Sequence, residues 1–242
     1  MKKSINILLI AAVIMITGYY SKTFAQTASE LLDKAIAFQD PQQKWNNYSG
    51  KVHLETIFSD GNAYGGEIIE IQTKEDYYKA TGIAKMTIKG IKNGEIFREV
   101  NGDKNPNEDA IKKYNLDDKT IRMYKWWHYI HLGLLMELKA SGMVLDDKVE
   151  TIKFQGNDCL ALTFNYDASK VKIDFYKGTW IIYLDPVNFS LKGFKVLSED
   201  WNRFVVFSGI LDVNGIKIPQ YRTYFNIEDN SFSFVDIFSN AQ

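Results

Sequence analysis

A side-chain period of two, broken by turn residues at short intervals, constrains this chain more than any other feature. From Gly50 onward, Val52, Leu54, Thr56 and Phe58 fall on one face of an extended segment, while Lys51, His53 and Glu55 fall on the other. Ser59-Asp60-Gly61-Asn62, Gly65-Gly66, Lys89-Gly90 and Asn93-Gly94 then separate candidate strands at 66–72, 76–81, 83–89 and 95–100. Seven more follow at 149–155, 158–166, 178–185, 189–198, 203–212, 215–226 and 231–239, punctuated by Gly156-Asn157, Asp185-Pro186, Asn214-Gly215 and Asp229-Asn230. This pattern predicts a mainly β (α+β) fold, a curved antiparallel sheet or half-open β-barrel of about 11–12 strands. Trp180 to Leu184 and Phe204 to Phe207 are apolar on both faces. Something must therefore cover each side: a second sheet, a helix, or a lumen holding an apolar ligand.

Helices are expected at two places. Thr27-Ala28-Ser29-Glu30 reads as a capping box, and Leu31, Leu32, Ala35, Ile36 and Phe38 recur at helical spacing until Asp40-Pro41 stops them. A helical insert at about 105–142 interrupts the strands. In it, Asn105-Pro106 opens a short helix with Glu108 completing the cap, and Asp117-Asp118 starts a longer one running to about Gly142, bent near Gly133.

Ahead of the first helix, Lys2 and Lys3 precede an apolar run from Ile5 to Ile16, and Thr23-Phe24-Ala25 offers small residues for cleavage before Gln26. The run is short for a bilayer span. Residues 1–25 are expected to be a cleaved signal peptide and 26–242 a single domain with no integral membrane span. With no cysteine near the cleavage point to carry a lipid, the product is expected to be periplasmic or secreted, and a monomer.

Composition narrows the chemistry. The chain has 29 basic and 30 acidic side chains, a balance that removes the electrostatic argument for nucleic acid. One cysteine, Cys159, excludes a disulfide framework and reads as a structural thiol, since no histidine or basic cluster flanks it. No Gly-x-Ser-x-Gly elbow, His-Glu-x-x-His helix or phosphate-cradling glycine loop occurs, so neither an enzyme nor a cofactor is expected. His128 and His131 are three apart and share a helix face, but a metal needs at least a third ligand and Glu137 points away. Helix histidines without a metal are the expectation. His53, beside Glu55 on a polar strand face, reads as solvated.

The strand Trp180-Ile181-Ile182-Tyr183-Leu184 ends in an Asp185-Pro186 turn before Val187, and Asn214-Gly215 leads into Ile216-Lys217-Ile218-Pro219 with Tyr221, Arg222 and Tyr224 beyond. With these patterns and its order of elements, the chain resembles the LolA/LolB-type superfamily of periplasmic lipoprotein carriers, and more narrowly an uncharacterised exported family of that fold. The resemblance implies a half-open barrel whose helices cap a concave apolar face sheltering acyl chains. It also implies an arginine early in the sheet that helps hold the empty protein closed. No arginine precedes Arg98 here, so that residue has no counterpart.

The segment from Ile121 to Leu138 is apolar all round, so it must be covered on all sides. It is either core packed into the barrel mouth or a lid whose inner side meets an apolar ligand. On the lid reading, Trp126, Trp127, Tyr129, Ile130 and Leu134 are the ligand-binding residues. The expected function is then a carrier or binding module for an acyl chain, a lipoprotein or another apolar ligand. The alternative is a non-catalytic structural, interaction or sensor protein of the envelope whose barrel is filled with side chains.

Overall fold

A computed structural model describes residues 26–241 apart from Lys172 and Asp200; the expected signal peptide lies outside them. Helix α1 (Ala28–Gln39) starts at Thr27, whose side chain and that of Glu30 form the reciprocal capping box, and ends at Asp40. Thirteen strands form one antiparallel sheet. The first five are a plain meander: β1 (Ser49–Phe58), β2 (Ala63–Gln72), β3 (Tyr77–Gly82), β4 (Thr87–Lys92) and β5 (Glu95–Val100). After the insert come β6 (Val144–Leu145), β7 (Glu150–Phe154), β8 (Asn157–Asn165), β9 (Thr179–Leu184), β10 (Leu191–Leu197), β11 (Arg203–Val213), β12 (Ile216–Asn226) and β13 (Phe232–Asn240).

The order across the sheet is β5-β4-β3-β2-β1-β13-β12-β11-β10-β9-β8-β6, with β7 also on β8. The last strand therefore pairs with the first, Leu54 opposite Phe238 and Thr56 opposite Asp236. The two edges are β5 and β6–β7, where the chain leaves for the insert and returns from it. The sheet stays open, and the insert must cross it from edge to edge.

That insert holds α2 (Glu108–Lys113), capped by Asn107, and the long α3 (Asp118–Ala140), capped by Asp117. The cap of α2 is two residues later than the sequence predicts. The expected bend is present: Gly133 has non-helical dihedral angles (φ −130°, ψ 37°). A Cβ at Gly133 would sit 2.2 Å from the Trp45 ring, so only glycine lets the indole into the kink.

Helix α3 lies on the inner face of the sheet and packs against β4, β12 and α1. Ile69, Tyr78, Leu162, Trp180, Phe194, Val205, Tyr224 and Phe238 present that face, and Ile121, Ile130, Leu132, Leu134, Leu135 and Leu138 fill the space beneath it. Each fully buried aliphatic side chain contributes about 1.5–3 kcal/mol. A smaller cluster on the opposite face, Phe154 stacked on Tyr183 with Cys159 and Phe204, covers the second apolar side of β9 and β11. Cys159 is buried there, and burial pushes its thiol pKa up.

Two turn expectations are corrected. Gly65-Gly66 and Gly90 lie inside β2 and β4. Gly90 is a point of close approach, because a Cβ there would meet the Phe97 ring at 2.2 Å. The real turn before β4, Ile83 to Met86, contains no glycine, proline, asparagine or aspartate, and Met86 takes a positive φ of 46° without a compositional signal. The two-residue β6 is the strand that the sequence pattern does not show.

Candidate functional site

Two neighbourhoods meet on α3. In the first, His128 and His131, 2% and 3% exposed, face the sheet. His128 Nδ1 shares a hydrogen bond with the Tyr78 hydroxyl of β3 (2.9 Å), and its Nε2 lies 3.8 Å from Glu67 Oε2 of β2. His131 Nε2 shares one with the Tyr224 hydroxyl of β12 (2.8 Å) and lies 3.7 Å from Asp236 Oδ2 of β13. Lys89 donates to Glu67 (2.6 Å) with its ammonium 3.6 Å from the Tyr124 ring centroid, and Thr56 donates to Asp236 (2.6 Å). Arg222 donates to the His131 carbonyl oxygen and stacks over Phe238, while Gln39 donates to the neighbouring Leu132 carbonyl (3.2 Å). These two carbonyls immediately precede the Gly133 kink, so side chains from β12 and α1 hold the helix where it bends.

Burial governs the protonation of this centre. Desolvation, reinforced by the nearby cations, drives both histidines well below the ordinary imidazole range, so they are neutral near pH 7. It pushes Asp236 up to about 6 and Arg222 down to about 10. Tyr78 and Tyr224 are raised by the same cause and keep their protons. The two histidines face tyrosines on different strands, and no group of three potential ligands occurs among the described residues. The centre is a solvent-excluded polar set that fixes the helix on the sheet, with His131 Nδ1, Arg222 Nη1 and Gln39 Oε1 the buried atoms that have no hydrogen-bond partner among the described residues.

The second neighbourhood begins one turn earlier and is open. Half-buried Trp126 meets Phe175 (5.3 Å between ring centroids), Tyr176 (5.4 Å) and Trp180 (6.2 Å). Trp127 stands edge-on to Trp201 (5.0 Å) and His131 (4.6 Å). Between these rings is an opening of about 400 Å³ lined by Met123, Tyr124, Trp126, Trp127, Phe175 and Trp201, with Asp174, Lys177 and Ser198 around it. That volume suits a small apolar ligand. Tyr129 faces a separate groove of about 700 Å³ between α1 and α3, where Trp45 donates its indole N–H to Glu137 (2.9 Å). Burial raises the Glu137 pKa. Ile130 and Leu134 are core residues and reach none of these openings. The five residues singled out from sequence thus divide: two line the aromatic opening, one a neighbouring groove, two the core.

Sequence reasoning missed Glu67, Lys89, Arg222 and Asp236 at the centre, and Phe175 and Trp201 at the opening. The first four carried a signal. Each is a charge on the apolar parity of its strand: Glu67 with Ile69 and Ile71, Lys89 with Ile91, Arg222 with Tyr224, Asp236 with Phe234 and Phe238. The arginine that donates to the helix, Arg222, lies on β12.

Residues 2–236 match the model of a family described as a family of unknown function, DUF6503. The chain belongs to that family. No curated protein matches this DUF6503 member in sequence. In fold it is similar to a LolA superfamily protein from Nitrosomonas europaea, with 12% identity and a TM-score of 0.51 over 89% of this chain and 93% of the other. It is also similar to a DUF1329 family protein from Desulfovibrio piger, with 10% identity and a TM-score of 0.50 over 88% and 91%. The DUF6503 chain is LolA-like in its fold. No helix among its described residues is long and apolar enough to cross a membrane.

Proposed function

We propose that this DUF6503 protein is an exported, non-catalytic carrier or binding module for a lipidated or otherwise apolar ligand of the cell envelope. One observation carries the reading: at Trp126, Trp127, Phe175 and Trp201 a cluster of large aromatic rings is left around open space, beside a core of closely packed side chains. An acyl chain entering it removes apolar surface from water on both sides, worth about 25 cal/mol per Å². The LolA-like fold supports the same reading, with residues 1–25 as the export signal.

Native mass spectrometry of protein taken from its own envelope tests it directly, with copurified lipid the expected result. A fatty-acid probe should change tryptophan emission saturably, and Trp126→Ala with Trp127→Ala should abolish that response while circular dichroism still reports the sheet. Unchanged emission at excess probe removes the reading. Amino-terminal sequencing should find Gln26; an intact Met1 on the accumulated protein overturns export by cleavage.

A second reading, a structural or sensor protein with a filled barrel, is favoured by the packing of Ile121, Leu132, Leu135 and Leu138 beneath the sheet. It expects no lipid and no probe response.

A further inference from the structure

We propose that the ligand of the aromatic opening is a single-chain anionic amphiphile whose head group is held by Lys119 and Arg122. The proposal rests on the reading that this opening binds an apolar ligand and adds the chemistry of the other end. The opening adjoins a second groove, of about 790 Å³, and the two share Trp126, Asp174, Phe175 and Lys177 in their linings. The second groove is bordered by four cations, Lys119, Arg122, Lys125 and Lys177, and by three acids.

The acids already have partners. Asp76 is paired with Lys125, Asp174 with Lys177 (3.4 Å), and Glu137 accepts from the Trp45 indole (2.9 Å). Lys119 and Arg122 have no ion-pair partner among the described residues, and both are exposed. Two cations are left over beside an apolar hole.

Their placement gives the surplus a direction. Lys119, Arg122 and Trp126 follow one another at helical spacings of three and four, so they share a face of α3. Arg122 and Trp126 are about 6 Å apart along the axis at roughly 1.5 Å per residue. An anionic head on the guanidinium fork therefore lays the first carbons of its chain across the indole. The fork matches a carboxylate or a phosphate equally, so the shared chemistry is an anionic head. An opening of about 400 Å³ is at the small end of ligand pockets and suits one chain, not two.

The test compares dodecanoate, dodecyl phosphate and uncharged dodecanol by tryptophan emission, on the wild type and on the Lys119→Gln, Arg122→Gln double variant, with acetate and inorganic phosphate as chain-free competitors. Both dodecyl anions should bind the wild type at least about tenfold more tightly than dodecanol, the gain of charge-assisted hydrogen bonds. The double variant should bind all three alike, and the chain-free anions should not compete. Equal affinity of wild type for anion and alcohol overturns the head-group site while leaving the apolar reading intact. Binding of none of the three overturns both. A double variant that keeps the preference overturns the assignment to Lys119 and Arg122. Competition by acetate or phosphate at the affinity of the dodecyl anions replaces the amphiphile with a free-anion site.

Discussion

Trp127 and His131 are one turn apart on α3 and stack edge to face, yet their surroundings are built on different rules. Around His131, directional polar contacts come from four strands: Tyr224 and Arg222 of β12, Asp236 of β13, Thr56 of β1, and through His128 the Tyr78 hydroxyl of β3. Only His131 Nδ1 and one Arg222 nitrogen are left over there among the described residues. Around Trp127, aromatic faces and edges meet without any required hydrogen-bond geometry, and space remains beside them. Directional bonds in a dry interior allow one arrangement of the helix, whereas ring contacts tolerate several at similar energy. The centre thus supplies position and the mouth supplies room.

The strongest way to break this contrast is to remove the anchor. Arg222 is 1% exposed, holds the His131 carbonyl, and is the cross-strand neighbour of Asp236. Arg222→Ala should cost about 3–5 kcal/mol, because it leaves a buried acid without its compensating cation and a kinked helix without a donor. Urea unfolding measures it. A loss below about 1 kcal/mol, the range of an ordinary surface change, means the centre does not hold the helix.

Acid sharpens the same contrast, since it reaches the centre and leaves the mouth alone. Both histidines are depressed in the folded state, while the unfolded chain titrates them near 6.5. Below about pH 6.5 the unfolded state therefore binds more protons, and stability falls by up to roughly 1.4 kcal/mol per pH unit for each histidine. Asp236 works the other way: raised to about 6, it favours the folded state below the ordinary carboxylate pKa of roughly 3.9, and that contribution is lost as pH rises through 6. Glu137, also raised, opposes the histidines further down. The expected net loss is at most about one proton's worth, roughly 1.4 kcal/mol per pH unit, beginning just below neutrality. Unfolding free energies that stay flat from neutral pH to about pH 5 would show that the histidines are not held neutral.

How far the sequence could be read follows the same division. The meander, both long helices, the capping box at Thr27 and the bend at Gly133 were legible, because each rests on local spacing, a cap or a small residue. The pairing of β1 with β13 was not: it joins residues such as Leu54 and Phe238 that no local rule connects. At the site, the apolar character of Ile121 to Leu138 announced a covered helix but could not say which of its residues meet core and which meet space. That depends on Phe175 and Trp201, which arrive from a short 3-10 helix (Asp174–Tyr176) and a loop far along the chain. The buried charges were hidden for a different reason. Glu67 or Asp236 within a strand reads as a solvent-facing residue until the parity of its apolar neighbours is taken as the stronger rule.

The smallest expected effect on stability falls at the mouth, and it divides the two regions most sharply. Met123 lines the aromatic opening and is 38% exposed, so little of its packing depends on the core. Met123→Glu should change unfolding free energy by no more than about 0.5 kcal/mol, as an exposed substitution does. The same carboxylate, placed against the chain of an apolar ligand, has no partner there, and burying it is costly. Binding of a fatty-acid probe should fall by about tenfold or more, since each 1.4 kcal/mol is tenfold in affinity. A mouth built like the centre would answer the other way, with a loss of several kcal/mol in stability. Measuring denaturation and tryptophan emission on the one variant decides it. If Met123→Glu unfolds as readily as Arg222→Ala, the mouth is core, and the division between position and room fails.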